Sequence, residues 1–332
     1  MKRLKVAVLM GGKSTEREVS LSTGRMILGA IDSCKYHAFA VDTGTFGEAV
    51  PAPGGKPIRM AEGAVDLSAV ISGGPEYRPD VAFIALHGRF GEDGTIQGLM
   101  ELLGIPYVGS GVLASALAMD KVMTNRVLAC RGIRVPKNLV ARAPVNMDAF
   151  KSAAKQELGF PVVVKPNRQG STIGLGIAKT EEDFERAVEA ALAHDGELLL
   201  EEFIKGCEVT CPVLGNGTCQ ALPVIEIIPA SGFYDYHAKY TPGATEEIVP
   251  ARLPKDIYTK VQEIAKECHA ALSCRGMSRT DMIIGEGGVT VLEVNTIPGM
   301  TPTSLLPRAA EAAGIKFPNL IDRLIQYALE KE

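Results

Sequence analysis

Residues 279–304 read RTDMIIGEGGVTVLEVNTIPGMTPTS. Two apolar runs, Asp281–Ile284 and Val289–Val294, flank Gly285-Glu286-Gly287-Gly288, the pattern of a β-hairpin. Side chains alternate along a strand, so Arg279, Asp281 and Ile283 share one face, and Val291, Glu293 and Asn295 share one face of the return strand. A loop over Gly285–Val289 pairs Ile284 with Thr290 and sets Asp281 opposite Glu293 and Arg279 opposite Asn295. A slip of one residue would send the two carboxylates to opposite faces. In the first register Asp281, Glu293 and Asn295 converge at the open end of the hairpin, and all offer the oxygen that a hard cation such as Mg²⁺ takes. The solvated face of an edge hairpin would carry such a pair too. Here, however, the polar residues run on into an irregular Gly/Pro segment, residues 295–302, that opens backbone N–H groups. An arginine beside paired carboxylates and open amides makes a metal–phosphate site with room for an oxyanion.

The 332 residues allow two or three domains with ample core. Apolar and charged shares of 46% and 22% are those of an ordinary globular protein. A net charge of −4 gives no general attraction to nucleic acid or to an anionic membrane. No apolar run approaches the roughly 18 residues of a membrane span. The opening MKRLKVAVLMGG is too short in its apolar part for a secretory signal and reads as a first strand. Seven cysteines form neither a CxxC pair nor a zinc spacing, which fits reduced thiols and a cytoplasmic protein.

Leu4–Met10 reads as a buried strand running into Gly11-Gly12-Lys13-Ser14-Thr15-Glu16 and an amphipathic helix through Ile31, the opening of a doubly wound α/β unit. Glu16 is either a first-turn acid favoured by the helix dipole or a functional carboxylate. Residues 42–79 are rich in Gly and Pro and hold short strands at most. Asp80–Leu86 is a second buried strand, and His87-Gly88 follows it at the edge where such sheets place ligands. Gly111–Cys130 reads as one helix carrying Lys121, whose plainest role is a surface charge. Phe160–Lys165 and Ile173–Ala178 read as strands around Pro166–Thr172. A lysine closing a strand before Gly-Ser-Thr suits a phosphate cover, with an ordinary hairpin and a solvated Lys165 as the alternative. Glu197–Phe203 is a strand with Glu201 and Glu202, and Pro212 marks an edge or irregular position in the next. Residues 231–250 lack any period yet hold three tyrosines, a histidine and Lys239, and read as a lid. Pro254–Cys274 is an amphipathic helix, and two short helices, about 303–313 and 318–330, follow the hairpin.

Taken in order, seven blocks resemble the D-alanine–D-alanine ligase family of the ATP-grasp superfamily, over nearly the whole chain. They are Gly11-Gly12 with Glu16 to Ser20; His87-Gly88 with Gly91 to Gly94; Gly109-Ser110-Gly111 with Met119-Asp120-Lys121; Val164-Lys165-Pro166 with Gly170-Ser171; Asp235 to Tyr240; Arg279-Thr280-Asp281; and Glu293 to Thr296 with Pro298-Gly299-Met300. The resemblance implies an α/β (α+β) chain with a Rossmann-like N-terminal domain followed by a two-part ATP-grasp fold. The divisions fall at 1–115, at 116–199 for the central subdomain, and at 200–332 for the C-terminal subdomain with the metal site and the lid loop 231–250.

It further implies that two D-alanines are joined at the expense of ATP through an acyl phosphate, for peptidoglycan synthesis. Asp281, Glu293 and Asn295 would hold two Mg²⁺ or Mn²⁺ ions, and Lys121, Lys165 and Lys239 would contact phosphate. Glu201, Glu202, Phe203, Ile204 and Glu208 would read adenine and ribose. Glu16 would meet the ammonium of the first substrate and His87 would touch ligand. Ser304 and the Leu305 amide would take the second carboxylate, and Arg279 with the Gly299 amide would stabilise the oxyanion. Ser171 and Tyr240 would hold the lid shut. Thr172 stands where the family more often has serine, and keeps the hydroxyl. The family also implies a homodimer. The rivals are another ATP-grasp carboxylate–amine ligase, a depsipeptide ligase using D-lactate, and an ATP-binding sensor without catalysis.

Overall fold

β1 (Leu4–Met10) is buried over its last five residues and forms the axis of the first sheet. The computed structural model describes residues 3–44, 65–72, 74–230, 241, 243–301 and 303–330. β1 pairs in parallel with β2 (Tyr36–Asp42) and β4 (Val81–Ile84). β3 (Val65–Asp66) and β5 (Tyr107–Val108) extend the two sides, giving the order β3-β2-β1-β4-β5. Helices α1 (Arg17–Ala30), α2 (Leu67–Ser72) and α3 (Thr95–Leu102) lie on the connections. The order reverses between β1 and β4, so the loops leaving their carboxyl ends meet at the switch point. Ser14 Oγ in the first loop donates to the His87 carbonyl in the second at 2.7 Å. The expectation of short strands at most over 42–79 misses α2, six residues in which Leu67, Ala69 and Val70 are buried.

Gly111–Cys130 is two helices rather than one. α4 (Val112–Met119) stops at Asp120, whose backbone is extended (φ −87, ψ 98). The Asp120 carboxylate accepts from Met123 N at 3.0 Å and so caps α5 (Lys121–Cys130). Lys121 therefore opens a helix instead of decorating its side.

The second sheet is antiparallel, in the order β6-β9-β7-β8: β6 (Asn138–Arg142), β7 (Val162–Pro166), β8 (Gly176–Ala178) and β9 (Glu197–Glu202). α6 (Met147–Glu157) and α7 (Glu181–Leu192) share a core with it around Phe184, Val188 and Leu200. Both strands read around the phosphate loop are shorter at their starts than the sequence implied.

The third sheet runs β13-β12-β10-β14-β15, with β11 (Cys219–Ala221) paired to the end of β10 (Gly206–Gly215). Pro212 sits between the part of β10 paired to β12 (Ile225–Pro229) and the part paired to β11, the irregular position its missing N–H calls for. β13 (Thr245–Ile248) pairs with β12 and falls inside the stretch read as an aperiodic lid, so residues 245–248 are strand. Residues 231–240 and 242, with Lys239 and Tyr240, lie outside the described residues. α8 (Lys255–Ala271) packs on this sheet through Val261, Ala265 and Cys268.

β14 (Gly276–Gly285) and β15 (Gly288–Asn295) are the hairpin, and its turn is tighter than expected. Gly285 pairs with Gly288, leaving Glu286 and Gly287 as a two-residue loop, and Ile284 pairs with Val289 rather than Thr290. That register, continued, would separate the carboxylates. Between Met282 and Asp281 the pairing shifts: Met282 faces Val291, Asp281 faces Glu293, and Leu292 is the extra residue of a β-bulge. Beyond it Asp281–Glu293 and Arg279–Asn295 stand opposite as the sequence implied.

The last two helices, α9 (Leu305–Ala312) and α10 (Phe317–Leu329), reach across to the first sheet. Leu306, Leu320, Leu324 and Ile325 share one core with Val8, Leu9 and Phe83, each fully buried large side chain contributing about 1.5–3 kcal/mol. α10 is pinned by Asp322 Oδ1, which accepts from the Tyr36 hydroxyl at 2.8 Å, and by Gln326 Nε2, which donates to that hydroxyl at 2.8 Å. Among the described residues no helix is long and apolar enough to cross a membrane.

Candidate active site

Where the second and third sheets face each other they enclose a cavity of about 380 Å³. Val163 and Leu175 come from one side, Ile283 and Leu292 from the other. Seven residues read from the sequence as nucleotide contacts line it: Lys121 and Lys165, then Glu201, Glu202, Phe203 and Ile204 at the crossing between sheets, and Glu208 on β10. Lys165 is buried and ion-paired to Glu201, Nζ to Oε2 at 2.8 Å. The other Glu201 oxygen accepts from Asn125 Nδ2 at 3.2 Å, so this carboxylate faces the lysine and the helix. Glu202 accepts from Lys137 N at 2.9 Å. Lys121 is buried, and its Nζ donates to the Gln169 carbonyl at 2.6 Å, which disposes of the surface-charge reading.

A second cavity, of about 480 Å³, opens between the switch point of the first sheet and the end of the hairpin. Glu16, His87, Ser171, Arg279, Gly299, Ser304 and Leu305 line it, from five separate stretches of chain. Glu16 is the residue before α1, is buried, and makes no cap to its own helix. It instead accepts a hydrogen bond from Ser171 Oγ, joining the first lobe to the phosphate loop. Ser171 and Thr172 hold left-handed backbones (φ 49 and 61), a strain that persists only where the surroundings fix it. Gly88 is needed for Glu16: a Cβ there would lie 2.6 Å from its Oε2. Gly299 is likewise bound to be small, since a Cβ would meet Ser304 Oγ at 2.7 Å. Ser304 caps the turn before α9 by accepting from Thr301 N at 3.0 Å. The Ser171–Tyr240 bond involves a residue outside the described set.

Glu293 lines both cavities, at their boundary. Beside it the Asp281 carboxylate is heavily engaged. Arg279 grips it with Nε to Oδ1 at 2.9 Å and Nη2 to Oδ2 at 2.7 Å. Asn295 Nδ2 donates to Oδ2 at 3.1 Å, and Thr210 Oγ1 to Oδ1 at 2.5 Å. No group of three or more His, Cys, Asp or Glu that could hold a metal occurs among the described residues. Two carboxylates with an amide oxygen nevertheless fit Mg²⁺, which is commonly held by one or two carboxylates plus substrate phosphates and water.

Two residues here carried no sequence-derived role. Thr210, on the neighbouring strand, had no signal at all. Glu92 stood in the quoted Gly91-Glu92-Asp93-Gly94 block, yet nothing marked it as a cavity residue. It is half-buried in the wall of the second cavity, accepts from Gly88 N at 2.7 Å, and its carboxyl is pushed up to about 8, first by desolvation and then by the Glu16 charge. His87 goes the other way: burial, then the Arg279 charge, lowers it to about 4. Its Nε2 lies 3.2 Å from Thr23 Oγ1, so it enters the cavity wall as a neutral ring.

Two antiparallel sheets closed on a cavity, behind a Rossmann-like sheet that completes a second one, define an ATP-grasp enzyme. Family models described as "D-ala D-ala ligase N-terminus" and "D-ala D-ala ligase C-terminus" match residues 5–110 and 129–326. The chain belongs to the D-alanine–D-alanine ligase family. It is 48% identical over 332 residues to the D-alanine–D-alanine ligase of Syntrophobacter fumaroxidans, covering 99% of this chain and 98% of the relative. Among solved structures it is similar to the Bacillus anthracis D-alanine–D-alanine ligase complexed with ATP, at a TM-score of 0.79 and 34% identity, covering 98% and 97% of the two chains. It is also similar to the VanG D-Ala:D-Ser ligase of Enterococcus faecalis, at 0.81 and 33%, covering 98% and 100%.

Proposed function

We propose that this chain joins two D-alanine molecules with cleavage of ATP to ADP and phosphate, through a D-alanyl phosphate. The observation that carries the reading is Glu293 at the boundary of two cavities, with Arg279, Asp281 and Asn295 around it. A reaction that moves a phosphoryl group from one ligand to another needs such a shared wall.

ATP occupies the cavity between the sheets, its base against Ile283 and Leu292 and its phosphates toward Lys121 and Lys165. Asp281, Glu293 and Asn295 hold Mg²⁺ or Mn²⁺, which supplies countercharge to the phosphates. The first D-alanine lies in the second cavity with its ammonium on Glu16, and its carboxylate oxygen attacks the γ-phosphorus while ADP leaves. Ser304 Oγ and the Leu305 amide, at the start of α9, receive the second carboxylate. The second D-alanine gives an ammonium proton to solvent, and its neutral amine attacks the acyl phosphate carbonyl. Arg279 and the Gly299 amide stabilise the oxyanion, and phosphate leaves as the amide forms. Lys239 and Tyr240 complete the reading as phosphate contact and lid. The proposal extends to a cytoplasmic homodimer, supported by exposed Leu102 and Leu113 on the adjoining helices α3 and α4.

Phosphate release from ATP, with and without D-alanine, tests the reaction, with D-serine, D-lactate and L-alanine as competing second substrates and products weighed by mass spectrometry. D-alanine-dependent release with one dipeptide per phosphate is expected. Release without any amino acid, or a mixed product favoured over the dipeptide, would overturn it.

A further inference from the structure

Asn167 lies at the start of the phosphate loop and is fully buried, and its polar atoms meet partners on two other elements. Nδ2 donates to Glu197 Oε2 at 2.9 Å, and its backbone N donates to the Glu197 carbonyl at 2.9 Å. Oδ1 accepts from Val122 N at 3.0 Å, and its carbonyl accepts from Lys121 N at 3.4 Å and Lys121 Nζ at 3.5 Å. Lys121 N and Val122 N belong to the first turn of α5, where amides have no partner within the helix. The loop thus caps the helix from another element. Arg168, next along, bonds Asp120 at 3.0 Å and Glu197 at 2.9 Å, which ties the α4–α5 break to the same two points.

We infer that Asn167 is a positioning residue that fixes the Lys121 amino group over the nucleotide cavity, by clamping the first turn of α5 to β9 through Glu197. This rests on the reading of that cavity as the ATP site and of Lys121 as a phosphate contact. Buried polar networks of this kind hold one geometry when fully paired and lose it when one member changes. Lys121 lines the nucleotide cavity while α5 gives no residue to the lining of the second, so the effect of a shifted helix start falls on ATP more than on D-alanine.

The test uses the full chain and four variants, Lys121→Ala, Asn167→Asp, Glu197→Gln and the last two combined, with separate KM values for ATP and D-alanine. Asn167→Asp keeps the size and the acceptor for Val122 N–H but sets a second carboxylate against Glu197. It is expected to raise the ATP KM about tenfold with the D-alanine KM within about twofold. The double variant restores a hydrogen bond of reversed polarity at unchanged total charge, and is expected to recover most of the loss with respect to Asn167→Asp. If Lys121→Ala raises the ATP KM while Asn167→Asp leaves it unchanged, the positioning role is overturned and the nucleotide reading stands. If the double variant is no better than Asn167→Asp, or both KM values rise together, Asn167 is a general structural residue. If Lys121→Ala leaves the ATP KM unchanged, the reading of Lys121 falls, and this inference with it.

Discussion

At Glu92 the cleft keeps a carboxyl protonated in neutral solution, and that has a thermodynamic signature. Its folded pKa is about 8, against an ordinary value of 4.5, with burial and Glu16 and Glu293 raising it and Gly88 N–H and Arg279 opposing. Below 4.5 both folded and unfolded chains hold the proton and the site costs nothing. Between 4.5 and 8 the unfolded chain releases a proton that the folded chain retains, so stability falls as pH rises, and the cost is complete above that window. Glu92→Gln removes it. Melting followed by circular dichroism should show almost no gain for the variant at about pH 4 and a gain of a few degrees at about pH 8.5; an equal gain at both would contradict the shift. At Glu293 the effect belongs to turnover. Glu293→Gln keeps the shape and removes the charge at the boundary of the two cavities, and should lower kcat by about a hundredfold or more with the fold intact. Asp281→Asn should cost as much, because it also releases the two-point grip of Arg279. Steady-state rates over a range of Mg²⁺ concentrations check both, and near-normal turnover of Glu293→Gln at ordinary Mg²⁺ would remove it from the metal site.

Among the elements, the hairpin shows what periodicity can and cannot say. Its two strands, the carboxylate pair and the Arg279–Asn295 pair were all legible, because a buried face fixes alternation. The two-residue loop and the bulge at Leu292 were not. Their register offsets cancel at the open end, so a wrong loop still put the right residues together. Deleting Leu292 should keep Asp281 opposite Glu293 while removing one apolar wall of the nucleotide cavity. An ATP KM raised about tenfold with unchanged metal dependence is expected, and loss of metal dependence would show that the bulge itself shapes the metal site. The break at Asp120 was hidden for another reason: helical periodicity runs through it, and an aspartate within a helix pattern looks like an aspartate at a cap. Asp120→Ala gives up that cap and the Arg168 ion pair, and should cost about 1–2 kcal/mol in urea unfolding. The brace around Asn167 left no trace in the sequence, since it joins residues from three distant stretches.

On the scale of the molecule, the motif blocks located both cavities, but they gave no sign of which lobe the last helices complete. α9 and α10 follow the third sheet in the chain and share one core with it and with the first sheet. The first sheet is translated before the other two, and its missing layer after them. A nascent chain that has not yet reached α9 and α10 therefore presents Val8, Leu9 and Phe83 without the leucines that seal them. A chain stopped after Thr303 should mimic that moment, with strong binding of a hydrophobic dye that the full chain lacks; indifference to the dye would mean that the first lobe closes unaided. If the dye binds, this lobe reaches its native core only once α9 and α10 have emerged, and until then its exposed face is a substrate for chaperones.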